Sequence, residues 1–146
     1  MTQNMLGASL KTCHWGYFDA TLPPAMTISS GDEVVINTVS GGPQNLPGAG
    51  FHVPRELLDL HAAGLPTMPG HILTGPVAVK GAMPGDVLQI DILDVSLRQD
   101  WGFNYLGPLT GTLPQDFPNM HHTIIPLDTE RGIATLPWGL ELKLAP

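Results

Sequence analysis

Along Val87–Val95 the chain alternates apolar and polar side chains: Leu88, Ile90 and Ile92 are interleaved with Gln89 and Asp91. A period of two is the signature of a half-buried strand, and it predicts one over Val87–Val95. Shorter apolar, β-branched runs predict strands at Met26–Ser29, Val34–Thr38, Val77–Lys80, Thr123–Pro126 and Gly132–Thr135. Near the end, Leu140, Leu142 and Leu144 alternate with Glu141 and Lys143, which predicts a further strand. Only Pro54–Ala63 carries a helical pattern. It has Pro at the first position, Glu56 near the positive end, Leu57, Leu58 and Leu60 as an apolar set, and Gly64 as the stop. Ser40–Phe51 and Trp101–Asn119 read as long irregular loops. Within the second, Trp101, Phe103 and Tyr105 alternate, as an aromatic wall over a site or as a buried strand or interface patch would.

Two predicted strands open alike. Ser30-Gly31-Asp32 precedes Val34–Ile36, and Pro84-Gly85-Asp86 precedes Val87–Ile90. Gly permits the positive φ of a tight turn, and Asp satisfies turn amides with its own carboxylate. The repeat is either two unrelated turns or an internal duplication. The short Gly81–Gly85 connection predicts that Val77–Lys80 and Val87–Val95 are neighbours in one sheet.

Composition sharpens the class. The 17 Gly and 15 Pro of the 146 residues argue against a helical bundle, since neither sits well inside a helix. Charged residues are 13% against about 25% in an average domain, so much of the surface is expected to be covered by a partner. The length fits one domain over residues 1–146. The net charge is −7 and the six basic residues are scattered, which leaves no electrostatic footprint for nucleic acid or an anionic membrane. No apolar run reaches the ~20 residues of a membrane span, and the start lacks a signal-peptide pattern. The single cysteine, Cys13, favours a reducing compartment, and the expected location is cytoplasmic.

The chain resembles the acetamidase/formamidase family. The resemblance begins at His14-Trp15-Gly16 and continues through Pro23–Ile28 and Ser30–Val34. It is strongest over His71–Leu88, HILTGPVAVKGAMPGDVL, which is similar to the family's H-x-L-T-G-P-[IV]-x-V-x-G-A-x-P-G-D-x-L block. The family's second half carries a glycine-rich acidic D-G-H-x-x-Q-G-D-G-E motif, of which nothing is found here. The resemblance therefore implies an N-terminal half, expected to be a split or truncated enzyme.

Amide hydrolysis needs an activated water, a polarised carbonyl and a proton for the leaving ammonia. The chain has no H-E-x-x-H, G-x-S-x-G or C-x-x-C motif. His14, five residues before Asp19, is either a ligand or base with its orienting carboxylate, or a strand-end histidine bonded to backbone. His71 precedes Thr74-Gly75-Pro76, a rigid turn that suits a substrate pocket or plain loop structure. The resemblance places His14 and His71 as catalytic candidates, Thr74 and Gly75 as substrate-binding candidates, and His14, His71 and Asp19 as candidate ligands of a divalent metal such as zinc. His121 and His122, if in a strand, point to opposite faces and cannot share one ion. His52 and His61 read as structural or solvated, and Cys13 as a buried inert thiol. Asp32 and Asp86 read as turn residues, Asp91 and Asp94 as outward strand positions, and Met68, Met83 and Met120 as adaptable packing.

These readings converge on an all-β, β-sandwich-like domain with long loops and one short helix. The implied activity is hydrolysis of short linear amides, formamide or acetamide, to carboxylate and ammonia, assisted by a metal. The alternative is a non-catalytic β-domain or split subunit that binds a small ligand or a partner chain. The terminal strand and low charge predict a homo-oligomer or a complementary C-terminal chain.

Overall fold

The computed structural model describes residues 4–64 and 70–145; Met68 lies outside them. In chain order the strands are β1 (Asn4–Leu6), β2 (Cys13–Trp15), β3 (Met26–Ile28), β4 (Val34–Ile36), β5 (Ile72–Thr74), β6 (Val77–Val79), β7 (Trp101–Leu106), β8 (His121–Asp128), β9 (Ile133–Thr135) and β10 (Glu141–Lys143). One α-helix, α1 (Arg55–Ala62), and one 3-10 turn, Pro43–Asn45, complete the elements among the described residues. The chain is all-β with one short helix, as its Gly and Pro content predicts. Its residues sort into two compact units: Met1–Gly42 with Arg55–Asp91, and Pro43–Pro54 with Ile92–Pro146.

The first unit is built from three two-stranded ribbons. β1 pairs with β4 and β3 with β6, both parallel, while β2 pairs antiparallel with β5. Each strand has three residues. Ladders that short hold little by themselves, so buried side chains must fix them. Leu6, Ala8, Cys13 and Val39 are buried, and α1 adds Leu57 and Leu60, each 1% exposed or less. The helix forms where its pattern predicts and ends as predicted, with Gly64 N–H donating to the His61 carbonyl at 3.3 Å.

Both Gly-Asp turns have the chemistry the sequence predicts. Asp32 Oδ2 accepts from Ser29 N at 2.8 Å, and Asp86 Oδ2 accepts from Met83 N at 2.8 Å. Each turn also closes through the Asp backbone N–H, to Ser29 O at 3.1 Å and to Met83 O at 3.0 Å. Gly31 and Gly85 take φ of 87° and 100°, which only glycine adopts without strain.

The second unit holds an antiparallel sheet in the order β10-β9-β8-β7. Trp101, fully buried, donates from Nε1 to the His52 carbonyl at 2.8 Å. Asp100 Oδ1 accepts from the His52 N–H at 2.8 Å, so the Pro43–Pro54 segment is held at both sides of His52.

Four expectations are corrected. Val87–Val95 forms no strand: β6 takes β3 as its neighbour, and the alternating segment has no partner among the described residues. Its periodicity is intact, but a ladder needs a second backbone. The first six residues of the expected loop Trp101–Asn119 form β7, because β8 supplies that second backbone along Trp101–Leu106. The strands β1, β2 and β5 escaped sequence reading because three residues are too few to show a period. Met83 and Met120 are exposed, at 68% and 67%, and do not fill a core.

Candidate functional site

The family-like block and His14 meet in the β2–β5 ribbon. Its register sets Cys13 opposite Thr74, His14 opposite Leu73 and Trp15 opposite Ile72. Two further backbone bonds lengthen it: Gly75 N–H to Thr12 O at 2.8 Å and Gly16 N–H to His71 O at 3.0 Å. Because side chains alternate between faces, the ribbon sorts the candidates into two sets.

One face carries Cys13, Trp15, Ile72 and Thr74. Cys13 is buried, with Sγ 3.6 Å from Thr74 Oγ1. Thr74 Oγ1 donates to the Asn37 carbonyl at 3.2 Å. Trp15 stacks obliquely on His61 of α1, ring centroids 5.6 Å apart. This is the packed face. Thr74 uses its hydroxyl there to hold the chain just beyond β4, and Gly75 is buried at the ribbon's end, with φ 142° and a cis bond to Pro76.

The opposite face carries His14, and two residues before Leu73 it reaches His71. The pair is diagonal across the ribbon, a relation that spans roughly 7–8 Å between backbones. His14 is half-buried and His71 exposed. His14 Nε2 lies 3.1 Å from the Tyr17 carbonyl oxygen, and the two rings meet edge to face at 5.4 Å. A carbonyl only accepts, so Nε2 of neutral His14 carries the proton and Nδ1 presents the lone pair. The strand-end, backbone-bonded reading of His14 and the reactive reading thus concern different nitrogens of one ring.

Gly70 sets how close the two sides come. A Cβ on it would stand 3.0 Å from Gly16 Cα, and its φ is 138°. Glycine at both positions lets the backbones touch beside His71.

Asp19 sits in an exposed turn. Its Oδ1 accepts from both the N–H and the hydroxyl of Thr21, each at 2.7 Å. The hydroxyl bond first, then the backbone bond, holds the carboxyl below its ordinary pKa. Among the described residues no three His, Cys, Asp or Glu side chains gather into a group able to hold a metal ion. His14, His71 and Asp19 are therefore not a complete coordination set. His14 and His71 supply at most two imidazoles on one face.

Of the other candidates, His121 and His122 fall where their strand reading puts them, while Asp91 and Asp94, read as outward strand positions, lie in a segment that forms no strand. His121 and His122 lie in β8 and alternate across it, with His122 opposite Tyr105 and its ring 6.0 Å from Phe103. Asp91 accepts from Gln89 Nε2 at 3.0 Å, and Asp94 from Ser96 Oγ at 2.6 Å. Sequence reading missed the Tyr17 carbonyl, which orients His14, and the Asn37 carbonyl, which anchors Thr74; backbone acceptors leave no trace in residue identity. It also set aside His61, whose Nε2 is buried with no hydrogen-bond partner among the described residues. Buried imidazole nitrogens are seldom left unpaired.

The chain is similar to known proteins. A solved acetamidase from Bacillus halodurans superposes with a TM-score of 0.72 at 22% identity, over 96% of this chain and 42% of that one. A formamidase from Methylophilus methylotrophus is 46% identical over 59 residues, covering 37% of this chain and 14% of that protein. The chain thus spans less than half the length of either relative. The acetamidase/formamidase family model matches residues 8–132, the stretch that holds both histidines, the Thr74-Gly75 turn and both Gly-Asp turns. The chain belongs to the acetamidase/formamidase family.

Proposed function

We propose that this chain is the part of an amidohydrolase that hydrolyses the carbon–nitrogen bond of short linear amides such as formamide and acetamide, releasing carboxylate and ammonia. The observation that carries the reading is the shared face of His14 and His71 within the family match. In this reading His14 Nδ1 takes a proton from the attacking water, its ring held by the Tyr17 carbonyl. His71, exposed at the open end of the ribbon, returns a proton to the leaving nitrogen. General acid–base steps of this kind contribute about 10²–10⁴ in rate. Thr74 and Gly75 shape the turn beside the histidines. A divalent ion such as zinc would supply polarisation of the amide carbonyl. Small neutral amides need no charged anchor, in keeping with six Lys and Arg in the whole chain. The lone Cys13 suits a reducing cytoplasm.

The test is ammonia release from formamide and acetamide. It is measured on the purified chain and on the chain mixed with the part of the Bacillus halodurans acetamidase that it does not superpose on, with and without divalent metal. Release is expected in the mixture, falling about 10²–10⁴-fold in His71→Ala. Folded protein that releases no ammonia in either preparation rejects the reading. A second reading, a binding module without turnover, is favoured by the limited span relative to the relatives. Amide-induced NMR shifts at His14 without ammonia release would select it.

A further inference from the structure

We propose that β10 is a self-association strand: two copies of this chain pair antiparallel along Leu140–Leu144, with Leu142 at the two-fold axis.

In the sheet of the second unit β10 is an edge strand, with β9 on one side and no strand on the other among the described residues. Its ladder to β9 uses alternate residues. Leu136 N–H donates to Leu140 O at 2.9 Å, and Leu144 N–H donates to Gly132 O at 2.7 Å. Both bonds lie in the register that sets Leu142 opposite Ala134. Leu140, Leu142 and Leu144 therefore turn their N–H and C=O toward β9, and Glu141 and Lys143 turn theirs to the open edge. That edge presents a donor and an acceptor from each of two residues, the template on which a further strand is added.

The side chains divide in the same way. The three leucines share one face, and Glu141 and Lys143 the other. Leu142 lies on the face of buried Ala134 and of Leu127, so the leucines carry the apolar side of the sheet out to its rim. There they remain 49%, 43% and 38% exposed, from Leu140 to Leu144. On the other face Glu141 Oε2 lies 3.5 Å from Arg131 Nη2. Lys143 has no ion-pair partner among the described residues.

This pattern selects a second copy as the occupant. Laid antiparallel on itself, Leu-Glu-Leu-Lys-Leu is complementary at every position: Leu140 meets Leu144, Glu141 meets Lys143, and Leu142 meets Leu142. The backbone allows only registers that bring the outward groups of the two copies together, so neighbouring registers differ by two residues. In one neighbouring register Glu141 faces Glu141, and in the other Lys143 faces Lys143. Like charges directly opposite are destabilising, and opposite charges are favourable. Centred on Leu142, hydrogen bonds, leucines and charges all agree. The Glu–Lys pairs are then the hydrogen-bonded ones, and the Leu142 pair is the closer, non-hydrogen-bonded one. The two-fold contact closes on itself and runs one sheet through both copies. A ladder this short makes a small interface, of the weak and transient class.

The experiment is sedimentation velocity on the full chain from about 10 μM to about 1 mM, the range of such an interface, with amide hydrogen exchange in parallel. A dimer should grow in with concentration. The outward amides of Glu141 and Lys143 should slow at least about threefold across the range, while the Leu142 amide, which already faces Ala134, changes less. Glu141→Lys alone and Lys143→Glu alone each set like charges opposite across the axis, and each should stay monomeric. Mixed, the two variants are complementary again and should form a one-to-one heterodimer. Both positions are exposed, so folding should be kept, with exchange at β8 as the control. A wild-type chain that stays monomeric at every concentration overturns the proposal. So do a dimer undiminished in either single variant, a mixture that fails to associate, and a dimer that leaves the Glu141 and Lys143 amides unprotected. Protection of those two amides already in the monomer also overturns it, since another stretch of the chain would then cover the edge.

Discussion

In the proposed mechanism the two nitrogens of His14 carry separate tasks, and this is where single substitutions are most informative. Nε2 is bound to the Tyr17 carbonyl and Nδ1 is the base of the proposed mechanism, so His14→Gln, which keeps one donor, should preserve the fold and still lose the proposed amidase activity. Gly70 tests the spacing. Gly70→Ala forces a Cβ to 3.0 Å from Gly16 Cα at a φ of 138°, and should cost about 1–3 kcal/mol in denaturant unfolding. Asp19 offers a titration. Its carboxyl is held below the ordinary value by Thr21, so the turn is intact at neutral pH and loosens only as pH falls through the depressed pKa. In Thr21→Val the hydroxyl bond goes and the Asp19 midpoint, read by carboxyl NMR, should rise toward its ordinary value. Residue identity shows where the histidines and aspartates stand. It does not show which nitrogen or oxygen is taken, because the partners here are backbone carbonyls and amides common to every residue.

Elements were legible in proportion to how local their causes are. The helix Arg55–Ala62 was readable from Pro54, the leucine spacing and Gly64, all inside one short window. Its packing is testable: Leu57 is fully buried, and Leu57→Ala should lower stability by about 2–5 kcal/mol, measured by urea unfolding. The Gly-Asp turns were readable for the same reason. Strands were legible only in part: β3, β4, β6, β8, β9 and β10 fall where apolar runs predict them, while β1, β2, β5 and β7 became visible only with their partners. Trp101–Leu106 carries Gly102 and Asn104 and ends against Gly107-Pro108, so its alternating aromatics stood among loop residues until β8 was seen beside them. Val87–Val95 has the cleaner pattern and no ladder. Trp101→Phe removes the donor to the His52 carbonyl and should destabilise by about 1–3 kcal/mol, read as a lower midpoint of thermal unfolding.

For the molecule as a whole, the long His71–Leu88 block made the family readable, and the family match over 8–132 agrees with it. The candidate site was half legible. His14 stands opposite Leu73 and His71 accepts from Gly16 at the end of the same ribbon, while Thr74 turned to the packed side. No helix among the described residues is long and apolar enough to cross a membrane.

The pairing of β2 with β5 and of β3 with β6 has a consequence for the order of events during synthesis. Residues 13–15 and 26–28 leave the ribosome well before residues 72–79, the backbones they need. Between them the chain also delivers Pro43–Pro54, which belongs to the other unit and waits for Asp100 and Trp101. Neither unit can close as it emerges, and both depend on contacts distant in sequence, the regime in which chains fold slowly. A nascent chain stalled before Ile72 should therefore remain as open to protease over residues 13–28 as an unfolded peptide, and become resistant only once Val79 and the core behind it are free.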